Sequence, residues 1–486
     1  MIFNSSLFLL YFLPVFLIVY FLCDRKYKNG VLLLASIFFY AWGAPVFVFY
    51  VIGSVVVDYL LIHQMSRAEG GKRRWLMWAS VLLNLGMLLY FKYMNFFVDQ
   101  FQVLQAGWFG VKPGEWVKIA LPLGISFITF QKLAYTLDVY KRQQPIFERF
   151  LDYALYIFMF PQLLAGPIVR PGQIAAQIRN REEQDTVDDK LIGFYRFIIG
   201  LSKKVLIADV LGAQVNEIFA LGPTELSSGM AWIGAIAYTF QIYFDFSGYS
   251  DMAIGLARML GFRLPENFNS PYVSRNITEF WRRWHITLSF WFRDYVFLPL
   301  AYSYSRKLPK EKYLGIRADK VIYMIAVAIT FLLCGFWHGA AWTFLLWGAY
   351  QGLFLILDRL FLMKYLKKLG KVPSILITFF IIMMGWVIFR SDKMAAGFEY
   401  IATMFSFKSA ENAIWLHSKF WTMLVIAIVF SFWGGFKTVD QWIVKLYSTP
   451  KNRTIITFAF LALIFFILCE ATITSSGFNP FIYFRF

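Results

Sequence analysis

Residues 321–362 read VIYMIAVAITFLLCGFWHGAAWTFLLWGAYQGLFLILDRLFL, an apolar run that carries one histidine, His338. Drawn as a single helix it would be about 63 Å long, roughly twice what a hydrocarbon core of about 30 Å requires. It therefore predicts two membrane helices with a break between them, and the glycines on either side of His338, Gly335 and Gly339, mark the place. Backbone that leaves a helix at membrane depth must be surrounded by protein or line a cavity. An imidazole there is placed to act, in its neutral form, as a general base. The structural alternative is a packed, hydrogen-bonded core histidine.

The rest of the chain is of the same kind. Hydrophobic residues make up 59% and the mean hydropathy is +0.57 over 486 residues, beyond the apolar share of a soluble domain. About ten to twelve segments of membrane-crossing length recur along it, some of them re-entrant. The formal charge of +18 would raise the question of nucleic acid in a soluble protein. Here the cations cluster in short links, at Arg25-Lys26-Tyr27-Lys28, Lys72-Arg73-Arg74, Arg306-Lys307 with Lys310 and Lys312, and Lys364 with Lys367-Lys368. That is the pattern of cytoplasmic loops, and it speaks against a nucleic-acid partner. The run Ser5 to Cys23 lacks a basic flank before it and a small-residue cleavage site after it, so it reads as a retained span with its N-terminus outside the cytoplasm. Cys23, Cys334 and Cys469 are scattered, and neither a disulfide nor a metal cluster is expected.

Breaks are expected near Gly43-Ala44-Pro45 and at Ala165-Gly166-Pro167, and the charged stretch Arg179 to Lys190 reads as a solvated cytoplasmic loop. From Gln241 to Leu300 the apolar helices carry Asp245, Asp251, Glu266, Glu279, Arg282, Arg283, His285, Arg293 and Asp294. Ionisable groups at membrane depth usually pair, line a wet cavity, or do chemistry. The structural alternative is interfacial helices held by Arg–Asp and Arg–Glu pairs. Of the four histidines, His63 and His417 lie at the end of a span and in a polar connection, and neither is given a role.

Seven segments then carry a resemblance. They are Tyr90-Phe91-Lys92-Tyr93 with Asn95-Phe96-Phe97, Leu121-Pro122-Leu123-Gly124-Ile125-Ser126-Phe127, Ala165-Gly166-Pro167-Ile168-Val169-Arg170, Phe244-Asp245-Phe246-Ser247-Gly248-Tyr249-Ser250-Asp251, Glu266-Asn267-Phe268-Asn269, Glu279-Phe280-Trp281-Arg282-Arg283-Trp284-His285, and Phe336-Trp337-His338-Gly339. In order and number they resemble the membrane-bound O-acyltransferase (MBOAT) family, in its bacterial branch for polysaccharide O-acetylation. The resemblance covers most of residues 90–352 of what reads as one polytopic membrane domain, 1–486; residues 398–486 add C-terminal spans without a family motif.

The resemblance implies an all-helical ring of tilted and re-entrant helices around a central tunnel, in the bacterial inner membrane. It places the functional pair on His338 and His285. The expected donor is a cytoplasmic thioester, acetyl-CoA or an acyl carrier protein, with no tightly bound cofactor and no metal. The acceptor would approach from the other side, served by an extracytoplasmic acetyltransferase partner. Arg282, Arg283, Lys203 and Lys204 could meet the donor's phosphates, although the positive-inside rule explains them equally. Asp245, Asp251, Asn269 and Trp337 are candidates for lining the tunnel or shaping it. D-alanyl transfer to teichoic acid is the rival within the family. A polysaccharide exporter is the rival outside it, without the internal repeat that many transporters show. The ending, Phe481 to Phe486, suggests an interfacial anchor.

Overall fold

A computed structural model describes residues 1–110, 114–222, 224–409, 414–436, 452–477 and 479–482. Helices dominate, and the strands among the described residues are one two-residue pair, Lys312–Tyr313 with Ile316–Arg317, in a basic link. Among the described residues seven helices are long and apolar enough to cross a membrane. They are Phe47–Arg67, Gly70–Phe109, Ala318–His338, Trp342–Leu369, Lys371–Arg390, Ser418–Gly435 and Ile456–Ser475. Their outward faces carry exposed apolar side chains such as Phe49, Leu60, Leu353 and Leu376, which water would penalise and lipid accommodates. The protein is an all-helical, multi-pass membrane protein.

The chain folds as two compact units, one of residues 1–194 with 253–265 and one of 195–252 with 266–486. In the first, the helix from Arg25 ends at Gly43 and the next begins at Phe47, so the expected break at Ala44-Pro45 is present. The chain also leaves the helix at Leu164 to Arg170, where Gly166 takes a positive φ that a side chain would strain. Asp58, fully buried, is held by Ser80, Asn84 and Tyr153, while the buried Lys132 ammonium donates to the Ser54 carbonyl and hydroxyl. This polar cluster is satisfied from within, as membrane depth requires.

Most of the stretch Arg179 to Lys190 is exposed, in keeping with a solvated segment, and some of its charges are also tied down by neighbouring helices. Arg181 donates to the Tyr20 hydroxyl, the Asn29 amide and the Leu260 carbonyl, Asp185 pairs with Lys28 and Lys190, and Asp189 pairs with Arg258. These charges found partners on the surrounding helix ends, which periodicity does not reveal.

In the second unit the helix from Ala318 stops at His338 and a new one starts at Trp342, returning antiparallel. A Cβ at Gly335 would strike the carbonyl oxygen of Phe344, and one at Gly348 that of Phe331. The two glycines thus let the helices approach at backbone contact, the small-residue packing that membrane helices favour. Of the C-terminal ending, Phe481 and Ile482 are buried within this unit, and Tyr483 to Phe486 lie outside the described residues.

Candidate active site

His285 sits at a hinge between two seven-residue helices, Ile277–Arg283 and Ile286–Phe292. The first starts because the Asn276 side chain accepts the Glu279 N–H as an N-cap, and it ends when Trp284 turns extended. His285 then takes the left-handed conformation, φ 42 and ψ 54, which a residue with a Cβ adopts only when its surroundings impose it. The surroundings are the 266–269 segment. The Asn269 N–H donates to the Arg283 carbonyl at 2.9 Å and the Ile286 N–H to the Asn267 carbonyl at 2.9 Å, bracketing the hinge. Asn267 also reaches the His285 ring, with Oδ1 3.0 Å from Nδ1.

His338 closes the helix Ala318–His338, and the extended Gly339 carries the chain away. A Cβ at Gly339 would occupy the ring of Phe344. The imidazole is boxed by aromatic rings, with centroids 4.9 Å from Trp337, 5.0 Å from Trp347 and 5.5 Å from Phe389.

The two histidines, 53 residues apart by number (338 − 285), belong to the same site. His285 lies 6.4 Å, ring to ring, from Trp337, the residue before His338, and the two imidazoles are within electrostatic reach of each other. His285 is 0% exposed and His338 5%. Phe246 meets His285 edge-on at 4.7 Å, and Trp386 joins the walls by packing 4.8 Å from Trp284 and 5.9 Å from Trp347. Such a box excludes water and strengthens every charge interaction inside it. Beyond Phe344 and Phe389 lies a cavity of about 330 Å³ with a polar rim of Asn216, Gln241, Thr343, Arg390 and Asp392. It is on the side of the His338 turn.

The remaining sequence candidates fall into different places. Lys204 is 1% exposed and held between Asp245 at 2.7 Å and Asp209 at 2.6 Å, while the second Asp245 oxygen accepts the Ile482 N–H. Lys203 pairs with Asp251 at 2.7 Å, and Arg196 bridges Asp251 and Glu266. The charges of Lys203 and Lys204, like those of Asp245 and Asp251, are therefore committed to one another. Arg283 is held by Glu279 and the Asn269 carbonyl. Arg282 is exposed, and among the described residues no ion pair holds it. It is within electrostatic reach of Tyr323, whose ring also faces the Arg359 guanidinium at 5.7 Å. Asn269 is exposed, and Trp337 lies between the histidines. His63 stacks on Tyr59, and the exposed His417 precedes the helix Ser418–Phe432.

Sequence reading passed over Asn267 in favour of Asn269, and it missed Trp347, Trp386 and Phe389 as walls. The segment Glu266-Asn267-Phe268-Asn269 holds two asparagines, and nothing in their order says which turns inward.

Comparison with known proteins gives a consistent picture. Residues 134–390 match the model of the membrane-bound O-acyltransferase family. The chain is 42% identical over 411 residues to the probable alginate O-acetylase AlgI of Pseudomonas aeruginosa, covering 84% of this chain and 75% of that one. It is 37% identical to the peptidoglycan O-acetyltransferase of Helicobacter pylori, covering 83% and 80%. It is 31% identical to the teichoic acid D-alanyltransferase of Bacillus subtilis, covering 55% and 68%.

Proposed function

Because this chain belongs to the membrane-bound O-acyltransferase family and is an acyltransferase, we propose that it moves an acetyl group from a cytoplasmic thioester toward O-acetylation of an extracytoplasmic polysaccharide, of the alginate or peptidoglycan kind. The observation that carries this reading is the meeting of His338 and His285 in one aromatic, water-excluding box. Acyl transfer needs a base to take the hydroxyl proton and a site in which the tetrahedral oxyanion is stabilised.

In the proposed reaction the acceptor oxygen attacks the thioester carbonyl while its proton passes to His338. The resulting oxyanion collapses, the C–S bond breaks, and the departing sulfur takes that proton from His338. Acetyl thioester and alcohol become acetyl ester and free thiol. Arg282, which like Arg359 lies within electrostatic reach of Tyr323, is the cation best placed to meet donor phosphates. The cavity rimmed by Asn216, Gln241, Arg390 and Asp392 suits a hydroxyl-rich acceptor or the partner acetyltransferase that receives the group, and the site of action is the bacterial inner membrane.

Acetyl transfer is favoured over D-alanyl transfer because the acetylating relatives align over far more of the chain. The test is incubation of the purified protein with radiolabelled acetyl-CoA and with acetyl-loaded carrier protein. Loss of label from donor in wild type, and not in His338→Ala, is the expected result. An exporter would leave both donors untouched.

A further inference from the structure

We propose that Asn267 fixes the tautomer of His285, so that His285 serves the reaction as a proton acceptor and not as a donor to the oxyanion. This rests on the reading of His285 as part of the acyl-transfer site. The orientation of the Asn267 amide follows from its neighbours. One end of it meets the Thr287 N–H at 3.4 Å and the Thr287 hydroxyl at 2.9 Å. A backbone N–H can only donate, so that end is the carbonyl oxygen, and the NH₂ end faces the Ser250 hydroxyl at 3.1 Å.

The same oxygen lies 3.0 Å from His285 Nδ1. An amide oxygen has no proton to give, so Nδ1 carries the hydrogen and a neutral imidazole keeps its lone pair on Nε2. With Asn267 1% exposed and His285 0%, water does not compete for these bonds. An amide, unlike a carboxylate, orients the ring without favouring its charged form. His285 Nε2 thus stands to receive, and to return, the proton that His338 takes from the attacking hydroxyl, and oxyanion donors must come from elsewhere in the box.

Full-length protein labelled with ¹⁵N-histidine and placed in nanodiscs reports the tautomer directly, the His285 signals being identified by their loss in His285→Gln. The expected pattern is protonated Nδ1 with unprotonated Nε2 in wild type, and a mixture of tautomers in Asn267→Ala. In turnover assays Asn267→Ala should lose about a hundredfold in kcat. Asn267→Asp keeps the accepting oxygen, so it should recover most of that loss while moving the acid limb of the pH–rate profile upward, because a carboxylate raises the pH at which the imidazole becomes neutral. Asn267→Ala should cost nothing further in a His285→Ala background.

A protonated Nε2 in wild type, or independent and additive losses in the double variant, overturns the proposal. Full activity of His285→Ala overturns instead the catalytic reading of His285, and the nitrogen spectrum, read without turnover, tells the two failures apart.

Discussion

Lys204 and Asp245 hold each other at 2.7 Å with 1% and 2% of their side chains exposed. Asp209 completes the Lys204 pairing, and the Ile482 N–H completes that of Asp245, which fastens the C-terminal segment to the motif Phe244-Asp245-Phe246. Removing one partner of such a pair leaves an uncompensated charge in a low-dielectric interior. Lys204→Met should therefore destabilise by about 3–5 kcal/mol. Thermal unfolding in detergent should show this, and Lys204→Met with Asp245→Asn should recover part of it. Equal stability of wild type and Lys204→Met would mean that the pair is not buried in the working protein.

His338→Ala removes the proposed base from the end of a helix whose glycine contacts stay in place. Activity should fall by at least about 10²-fold, while the protein inserts, purifies and elutes as a folded species. His285→Ala should also lower kcat severely with folding retained. Acetyl transfer at the wild-type rate by His338→Ala would remove that residue from the mechanism.

Gly348 and Gly335 set the distance between the two helices that meet at the His338 turn. A Cβ at Gly348 would run into the Phe331 carbonyl. Gly348→Val should push the helices apart and displace His338, and displacement of a catalytic group by about 1 Å can cost about 10²-fold. The comparison with Gly53→Val is informative, because nothing stands within 4 Å of a Cβ there. Steady-state assays should show a large loss in the first variant and near wild-type rates in the second.

Asp185 links the 179–190 stretch to Lys28 and Lys190. Burial alone would raise its carboxyl, but the hydrogen bonds and charges of Lys190 and Lys28 outweigh it and hold the group below the usual carboxylate range. A lowered folded-state value means stability that is fully present above the unfolded carboxyl's pKa, about 3.9, and is lost as pH falls through the folded one. Asp185→Asn should thus lower Tm at pH 7, and its difference from wild type should shrink on acidification below about pH 4. A Tm difference that grew on acidification would contradict this sign.

The sequence by itself determined the membrane character, the helical class, the family, and the two histidines on which the proposed chemistry rests. Those signals are local. Apolar length, the basic links, the breaks at Ala44-Pro45 and Gly339, and the Trp-His-Gly and Arg-Arg-Trp-His motifs can each be read in a window of a few residues. Tertiary structure alone decided which side chains meet. It turned Asn267 inward and left Asn269 exposed, because the 266–269 segment pairs with the His285 hinge in one register only. It consumed the charges of Lys203 and Lys204 on Asp251 and Asp245, and it brought Trp347, Trp386 and Phe389 around a histidine. The physical reason is that hydrogen bonds and ion pairs act over about 3 Å of space with no regard for separation along the chain. Their partners are chosen by packing, which no periodicity or composition records.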